Sequence, residues 1–338
     1  MKRFGNLFKE IISYPNLQHA FRSAAKGKYC GEPVFEFKKK LHTNLTKMQE
    51  RLEDHTYLPR PYSIFKVHEP KERVIYAPNF EDVVVQHAVY KIIRPIFDNT
   101  FINESFACRP GRGIHLASDY VQKSLRTTGD SYYLQMDIEK YFYSIDRCIL
   151  KKLIRKKIKD PRALRLIDLF IWYDKEQGIP IGNLLSQLFA LIYLNEVDQF
   201  IKRELKVKHY CRYMDDFVLF GLSKTEAHTY KEAIEEFLDV ELNLKLSKWT
   251  IQHQRKGINF AGYRVWSSRR YIRKFSLYTF RRKVKESNLQ AIISLLAHAR
   301  HTSSYTHMLN FLRDENHDIY LRLPETHRHY PLYCGESS

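Results

Sequence analysis

Three aspartates follow or interrupt short apolar segments, and their positions indicate a shared site. Asp137 directly follows the short, mainly apolar run 132–136, and Asp215 and Asp216 lie between two aromatic and β-branched runs. A buried carboxylate is costly unless it is paired or binds a cation, and adjacent aspartates repel each other. A divalent cation relieves both problems, and oxygen-only ligands suit magnesium or manganese. Two such ions about 3.5–4 Å apart activate a hydroxyl and stabilise a leaving phosphate, so the sequence predicts phosphoryl-transfer chemistry.

The elements around these aspartates must bring them together. The run 132–136 predicts a buried strand, and the runs 210–213 and 217–220 predict a hairpin with Asp215 and Asp216 at its tip. If the first strand lies beside the hairpin, the three carboxylates converge. The alternative is that the Asp-Asp pair is an ordinary turn, because aspartate is common in turns.

The remaining pattern is a mixture of helices and short strands. Helical spacing predicts helices over 35–52, 81–97, 147–158, 161–173, 185–205 and 224–238, and a helical, basic tail from 275 to about 323. Strand patterns predict one pair at 62–67 and 73–77 and a second hairpin at 260–265 and 270–273.

The charge balance indicates a polyanionic partner. The chain has 338 residues, with 56 lysines and arginines against 38 acidic residues and a net charge of +18. Such an excess favours nucleic acid as the partner. No apolar run is long enough to span a membrane, no signal core is visible, and five scattered cysteines fit a reducing compartment. We therefore expect a cytoplasmic protein without a membrane partner.

Six blocks of the chain resemble, in order, the motifs of reverse transcriptases, which copy RNA into DNA. They are the segment 73–113 with SFACRPGR at 105–112, MDIEKYF at 136–142, GIPIGNLLSQ at 178–187, YMDDFVLF at 213–220, LNLKLSK at 242–248 and GINFAGY at 257–263. The resemblance covers residues 60–275. It implies an α+β right-hand polymerase with fingers, palm and thumb, in which helices back an antiparallel palm sheet.

The resemblance also implies domain boundaries. N-terminal helices and fingers would occupy 1–130, and the palm 131–255 with a helical insertion at about 147–178. A primer-grip hairpin would follow at 256–275, and a short helical thumb and tail at 276–338.

The catalytic carboxylates follow from the same resemblance. Asp137 and Asp215 would be the principal ligands of two Mg²⁺ ions, for which Mn²⁺ can substitute, and Asp216 would assist. The backbone carbonyl of Ile138 would complete one metal shell. Lys248 would be the acid that protonates pyrophosphate, although Lys245 is close enough in sequence to be the alternative.

Several positions would contact the incoming nucleotide. Phe142 would sit under the sugar and exclude a 2′-hydroxyl, unless it is an ordinary core phenylalanine. Lys71 and Arg73 would clamp the triphosphate, unless they are solvated charges at a strand edge. Gly182 would let the backbone approach the nucleotide or template.

The grip motif departs from the family's usual Gln-Gly-x-x-x-Ser-Pro at two positions. Ile181 replaces Gln and Gln187 replaces Pro. This pairing resembles the reverse transcriptases of diversity-generating retroelements, in bacteria and their phages. That resemblance implies mutagenic copying of a template-repeat RNA with misincorporation opposite adenine, together with a small basic pentameric accessory variability protein. Ile181 cannot donate a hydrogen bond, so a poorly seated pair would be penalised less; the alternative is a simple packing substitution.

Basic residues supply the expected nucleic-acid contacts, with template RNA, cDNA–RNA hybrid and dNTPs as the ligands. Cations and interleaved aromatics after residue 268 suit a thumb that grips a duplex, although a solvated helix face is the alternative. A second basic run, 147–159, could contact RNA or the accessory protein or remain solvated. The residues assigned to nucleic acid are Arg109, Arg112, Gly262, Tyr263, Arg269, Arg270, Arg273, Lys274, Arg281 and Arg282.

Other functions remain as alternatives. A retron or group II-like enzyme is disfavoured by the grip motif, and an abortive-infection polymerase would synthesise untemplated or protein-primed DNA. A non-catalytic RNA-binding protein is disfavoured by the intact set of aspartates.

Overall fold

The structure, a computed structural model, describes residues 3–28, 31–68 and 72–328. The helices of the N-terminal half are α1 (Leu7–Ile12), α2 (Tyr14–Ala25), α3 (Glu32–Lys39), α4 (Leu41–Glu53), α5 (Phe80–Asp98), α6 (Ile114–Thr127), α7 (Tyr141–Ser144), α8 (Arg147–Lys157) and α9 (Pro161–Ile171). Those that follow are α10 (Leu184–Gln199), α11 (Lys224–Leu242), α12 (Lys274–Lys285), α13 (Leu289–Ala299), α14 (Ser304–Glu315), α15 (His317–Leu321) and α16 (Glu325–Arg328). The strands are β1 (Ser63–Val67), β2 (Arg73–Ala77), β3 (Tyr132–Ile138), β4 (His209–Tyr213), β5 (Asp216–Leu222), β6 (Leu246–His253), β7 (Ile258–Phe260), β8 (Tyr263–Val265) and β9 (Arg270–Ile272).

The chain forms two compact units, each assembled from three segments. The first consists of the described residues within Met1–Asn103, Ile138–Leu205 and Ala233–Lys248. The second consists of those within Glu104–Asp137, Lys206–Glu232 and Trp249–Ser338. The linear boundaries expected at 130 and 255 do not coincide with these units, because the segments are interleaved along the chain.

The first unit is mainly helical. Helix α10 is rich in apolar residues, and twelve of its sixteen residues are buried, as expected for a central helix. Asp146 and Asp160 directly precede helices α8 and α9 and cap them: each carboxylate accepts hydrogen bonds from the backbone amides of the second and third helical residues. Strands β1 and β2 pair in an antiparallel ladder.

The second unit contains the two larger sheets. The first has the order β4-β5-β3-β6, and β5 pairs antiparallel with both β4 and β3. The second is the antiparallel sheet β7-β8-β9. A single apolar core joins side chains of β4, β5 and α6 to those of the second sheet and helices α12–α15.

Three secondary-structure predictions need correction. The expected helix over 35–52 is broken at Lys40, which has a non-helical backbone. The helix expected over 185–205 is α-helical only to Gln199 and continues as a π-helix over Phe200–Glu204. The expected strand over 260–265 turns at Ala261 and Gly262, whose φ angles are 44° and 91°, so the second hairpin is a three-stranded sheet.

The predicted α+β class is confirmed by these helices and antiparallel sheets. Within the described ranges, no helix combines the length and apolarity needed to cross a membrane.

Candidate active site

Two of the three aspartates face each other across neighbouring strands. Asp137 on β3 and Asp216 on β5 are direct partners in the antiparallel register. Directly opposite residues of an antiparallel pair project from the same face, with Cβ atoms about 4.5–5.5 Å apart. The hairpin therefore brings together carboxylates that are 79 positions apart in the chain, as the sequence predicted.

The third aspartate lies in the tight turn between β4 and β5. Tyr213 and Asp216 are the last paired residues of this hairpin, so the turn consists of Met214 and Asp215. Met214 has a positive φ of 57°, a conformation that is costly for a residue other than glycine. The buried guanidinium of Arg212 donates a hydrogen bond of 3.0 Å from Nη1 to the Met214 carbonyl oxygen, which helps to hold this turn.

The three aspartates offer the kind of ligand atoms that a magnesium ion would require. Asp137, Asp215 and Asp216 are all partly exposed, so a cation and its water can reach them. Carboxylate and carbonyl oxygens are the ligands that magnesium prefers, and the residues present fit the ion in that respect. Across the described residues, no group of three or more His, Cys, Asp or Glu side chains is arranged to hold a metal ion. Additional ligands would therefore come from the Ile138 carbonyl, water or a bound triphosphate.

Residues expected around the nucleotide occupy the first unit. Phe142 is half-buried, and its carbonyl oxygen accepts a hydrogen bond of 2.8 Å from the amide of Ile179. Gly178 packs against this segment: a Cβ there would lie 2.7 Å from the Phe142 carbonyl oxygen. The grip segment and the helical turn that carries Phe142 are therefore in direct backbone contact.

The grip segment also pairs with β2. The amide of Tyr76 donates a hydrogen bond of 2.8 Å to the carbonyl oxygen of Ile181. Gly182 has a φ of +116°, and a Cβ there would lie 3.0 Å from the Tyr76 carbonyl oxygen. This close approach explains the glycine. Ile181 is half-buried and Gln187 is exposed.

Three expected phosphate or proton-transfer residues are less constrained. Arg73, Lys245 and Lys248 are exposed, and the Lys245 carbonyl oxygen accepts a hydrogen bond from the Glu139 amide. Exposure alone does not test their expected roles. The triphosphate contact of Arg73 and the proton donation by Lys248 or Lys245 therefore stay predictions. Lys71 lies outside the described residues.

A buried amide network at the start of α10 was missed by the sequence analysis. The side-chain amide of Gln86 donates to Asn183 Oδ1, and its oxygen accepts from the Leu184 amide, both at 3.1 Å. Asn183 in turn donates to the Tyr62 hydroxyl. The network anchors the grip segment, and sequence alone gives no signal that pairs residues 97 positions apart.

The basic residues expected to contact nucleic acid fall into two groups. Most of them are exposed and suited to phosphate contacts: Arg269, Arg273, Lys274, Arg281 and Arg282. Arg109 and Arg112 are half-buried; Arg109 donates to the Ser105 carbonyl oxygen and Arg112 lies over the Phe106 ring.

Arg270 and Tyr263 require a correction. The Arg270 side chain is 3% exposed and bonds to Asp119, Ser118 and the His301 carbonyl oxygen. Tyr263 is fully buried in the apolar core. Strand β8 and the neighbouring β9 point these side chains inward, so both join the protein interior and neither is positioned to contact nucleic acid.

We therefore predict that Arg270→Leu lowers stability without weakening nucleic-acid binding. Loss of the hydrogen bonds from a buried guanidinium should cost about 2–3 kcal/mol of unfolding free energy. Denaturant unfolding measures this loss. Arg269→Gln, a change at the exposed neighbour, is the control and should leave stability within about 0.5 kcal/mol. Equal stability of the two variants would contradict the assignment.

A histidine cluster surrounds Tyr263. The ring of His298 stacks on Tyr263 at 4.6 Å between centroids, and His115 Nδ1 lies 3.0 Å from the tyrosine hydroxyl. The rings of His115 and His301 are 4.8 Å apart. Burial lowers the pKa values of His115 and His298, and nearby cations, including Arg270 and Arg273 respectively, lower them further.

These shifts predict acid sensitivity of the second unit. Because burial in the folded state disfavours the charged form of both histidines, the unfolded state binds more protons as the pH falls through the ordinary value of 6.5. Stability should therefore be fully present well above pH 6.5 and be lost as the pH falls through that value, so the unfolding temperature should be lower at about pH 5.5 than at about pH 7.5. Thermal unfolding at the two pH values tests this. The double variant His115→Asn, His298→Asn should show a smaller decline, and an equal decline would contradict the cause.

Comparisons with known proteins agree with the geometry. Residues 64–265, more than half of the chain, match the profile described as "Reverse transcriptase (RNA-dependent DNA polymerase)". YkfC of Escherichia coli K12 is 28% identical over 289 residues, covering 71% of this chain and 74% of YkfC. The group II intron-encoded protein LtrA of Lactococcus lactis is 26% identical over 328 residues, covering 75% of this chain and 54% of LtrA.

The chain thus spans about half the length of LtrA. A solved telomerase from Candida albicans, in complex with a telomeric RNA fragment, is 13% identical, with a TM-score of 0.48 over 82% of this chain and 62% of that one. The profile includes β3 and the β4–β5 hairpin, which carry Asp137, Asp215 and Asp216. Because that match covers more than half of the chain, this protein belongs to the reverse transcriptase family of RNA-dependent DNA polymerases.

Proposed function

We propose that the chain copies template RNA into DNA at one end of the two central strands of the four-stranded sheet, where Asp137 on β3 and Asp216 on β5 are paired. The observation that carries this proposal is that pairing, with Asp215 in the adjoining turn. A bound pair of Mg²⁺ ions would be held by Asp137, Asp215, Asp216 and the Ile138 carbonyl. It would supply activation of the primer hydroxyl and neutralisation of phosphate charge.

The chain's own residues would bind and orient the substrates. Phe142 would exclude the 2′-hydroxyl of a ribonucleotide, and Arg73 with Lys71 would hold the triphosphate. The exposed cations of α12 would grip the template–product hybrid through its phosphates. Lys248 would donate the proton to pyrophosphate, with Lys245 as the alternative.

Primer extension with matched templates tests this function. The purified protein, Mg²⁺ and a primer should extend on RNA with dNTPs, extend much less with rNTPs, and give no product without a template. Product formation without a template would support the abortive-infection alternative. Tight RNA binding without extension would support the non-catalytic alternative.

We further propose that the chain is the mutagenic polymerase of a diversity-generating retroelement. Support comes from Ile181 and Gln187 in the grip motif; the backbone of Ile181 is hydrogen-bonded to Tyr76 of β2, the strand that begins at the predicted nucleotide-binding residue Arg73. A small basic pentameric accessory protein would be its partner, in the cytoplasm of a bacterium or phage-infected cell. The similarity to LtrA keeps a group II-like enzyme as the alternative.

The Ile181→Gln variant tests the role proposed for Ile181 in mutagenic copying. A glutamine amide can hydrogen-bond the incoming nucleotide and penalise a poorly seated pair, so errors opposite adenine should fall by about threefold to tenfold. Sequencing of cDNA measures the error rate. Ile181→Leu, which adds no donor, is the control. Equal error rates in both variants would contradict the proposed role of Ile181.

A further inference from the structure

One glutamine side chain joins the candidate metal site to the second sheet. Gln135 Nε2 lies 2.8 Å from Asp216 Oδ1 and 2.9 Å from the Asn259 carbonyl oxygen. We propose that Gln135 is a positioning residue that couples the orientation of the Asp216 carboxylate to the position of β7. This inference rests on the proposed polymerase function.

The sheet geometry places Gln135 for this role. Residues 135 and 137 of β3 project from the same face, and both are partly exposed, whereas Leu134 and Met136 are buried. Asp216 is the direct partner of Asp137 and shares that face. On this face of β3, Gln135 is therefore the side chain next to the paired carboxylates.

Both hydrogens of the Gln135 side-chain amide are donated in hydrogen bonds. One is donated to a carboxylate and the other to a backbone carbonyl. Hydrogen bonds to charged acceptors are stronger and more directional than neutral ones, so the first restricts rotation of Asp216. The second ties that carboxylate to β7, which precedes the Ala261–Gly262 turn of the expected primer-grip segment.

This arrangement links two steps of synthesis. If the primer terminus rests against the β7–β8 turn, any displacement of β7 is transmitted through Gln135 to Asp216. The metal site would then reach its working geometry when the primer is seated. Gln135 itself touches neither substrate nor the reacting atoms in this account.

Gln135→Leu tests the coupling, with Gln252→Leu as the matched control. Gln252 is half-buried on β6 of the same sheet and accepts one hydrogen bond, of 3.1 Å, from the Tyr133 hydroxyl. Both changes remove a glutamine amide from one sheet, but only the first removes a contact to a carboxylate. Unequal effects would therefore report the coupling rather than general loss of stability.

Two measurements that do not depend on turnover come first. Mn²⁺ binding to the protein alone, followed by electron paramagnetic resonance, should weaken about threefold to tenfold in Gln135→Leu. Fluorescence anisotropy should show weaker binding of an RNA–DNA primer–template by about threefold. In steady-state extension, kcat should fall by about tenfold and the Mg²⁺ concentration for half-maximal rate should rise.

The outcomes separate this inference from the proposed function. Wild-type extension with equal Mn²⁺ binding and equal kcat in the Gln135→Leu and Gln252→Leu variants would overturn the coupling alone. A wild-type protein that binds primer–template but never extends it would overturn the proposed function and the coupling with it. If Gln135→Leu does not fold, Gln135→Asn replaces it, because the shorter amide cannot span both partners and should show the same losses.

Discussion

Asp215→Asn is expected to reduce RNA-directed primer extension by at least about a thousandfold while leaving the fold intact, since losing a metal ligand removes several kcal/mol of transition-state stabilisation. The side chain is partly exposed in a surface turn, so the isosteric amide should be accommodated. Asp137→Asn should have an effect of similar size because Asp137 lies on the adjoining strand. Single-nucleotide addition on an RNA template with Mg²⁺ measures both.

A surface aspartate provides the control for these variants. Asp130 is 65% exposed; its carboxylate lies 3.0 Å from His253 Nε2 and forms a surface ion pair with Arg255, and such surface contacts contribute little to stability. Asp130→Asn should therefore retain activity within about twofold. Activity of Asp215→Asn near that of Asp130→Asn would show that the reaction occurs elsewhere.

Gly178→Ala is expected to have the largest effect on stability among the glycines considered. Its φ is +82°, and a Cβ would approach Phe142 O, Tyr143 Cα and Tyr143 O to 2.7 Å. These are backbone atoms, so no side chain can rotate away. Backbone strain and overpacking together should cost about 2–4 kcal/mol, and displacement of Phe142 should weaken selection of dNTPs over rNTPs. Denaturant unfolding and competition between the two nucleotides measure these losses.

Gly129→Ala isolates the backbone contribution. Gly129 also has a positive φ, +61°, but a Cβ there meets nothing within 4 Å. Its substitution should cost about 1 kcal/mol and leave nucleotide selection unchanged. If both variants lost the same stability and neither altered the selection of dNTPs over rNTPs, the contact between Gly178 and the Phe142 segment would not contribute to nucleotide selection.

The sequence predicted the parts of the site that depend on local pattern. The apolar run before Asp137 predicted a strand, and the aromatic runs around Asp215 and Asp216 predicted a hairpin; the carboxylates were expected to converge if the two lay side by side, and the register shows this for Asp137 and Asp216. The predicted right-hand polymerase fold is likewise confirmed by membership of the family and by the antiparallel sheets backed by helices.

Features that depend on tertiary contacts were not predictable. Arg270 has the composition of a phosphate-binding residue, but Asp119, 151 positions earlier, pairs with it in the interior. Likewise, Gln135 looks like a polar position on a half-exposed strand until its contact with Asn259, 124 positions later, is known. The turn between Phe260 and Tyr263 was also missed. Both side chains are buried, so they read as apolar positions of one strand although they belong to two.

The sequence of the DNA product tests the central claim most directly. The purified protein would be given an RNA template containing all four bases, with a primer, Mg²⁺ and dNTPs, beside Asp215→Asn. The expected result is DNA complementary to the template, with errors concentrated opposite adenine, and no product from the variant. Product whose sequence does not follow the template, or product that persists in Asp215→Asn, would contradict RNA-directed synthesis at this site.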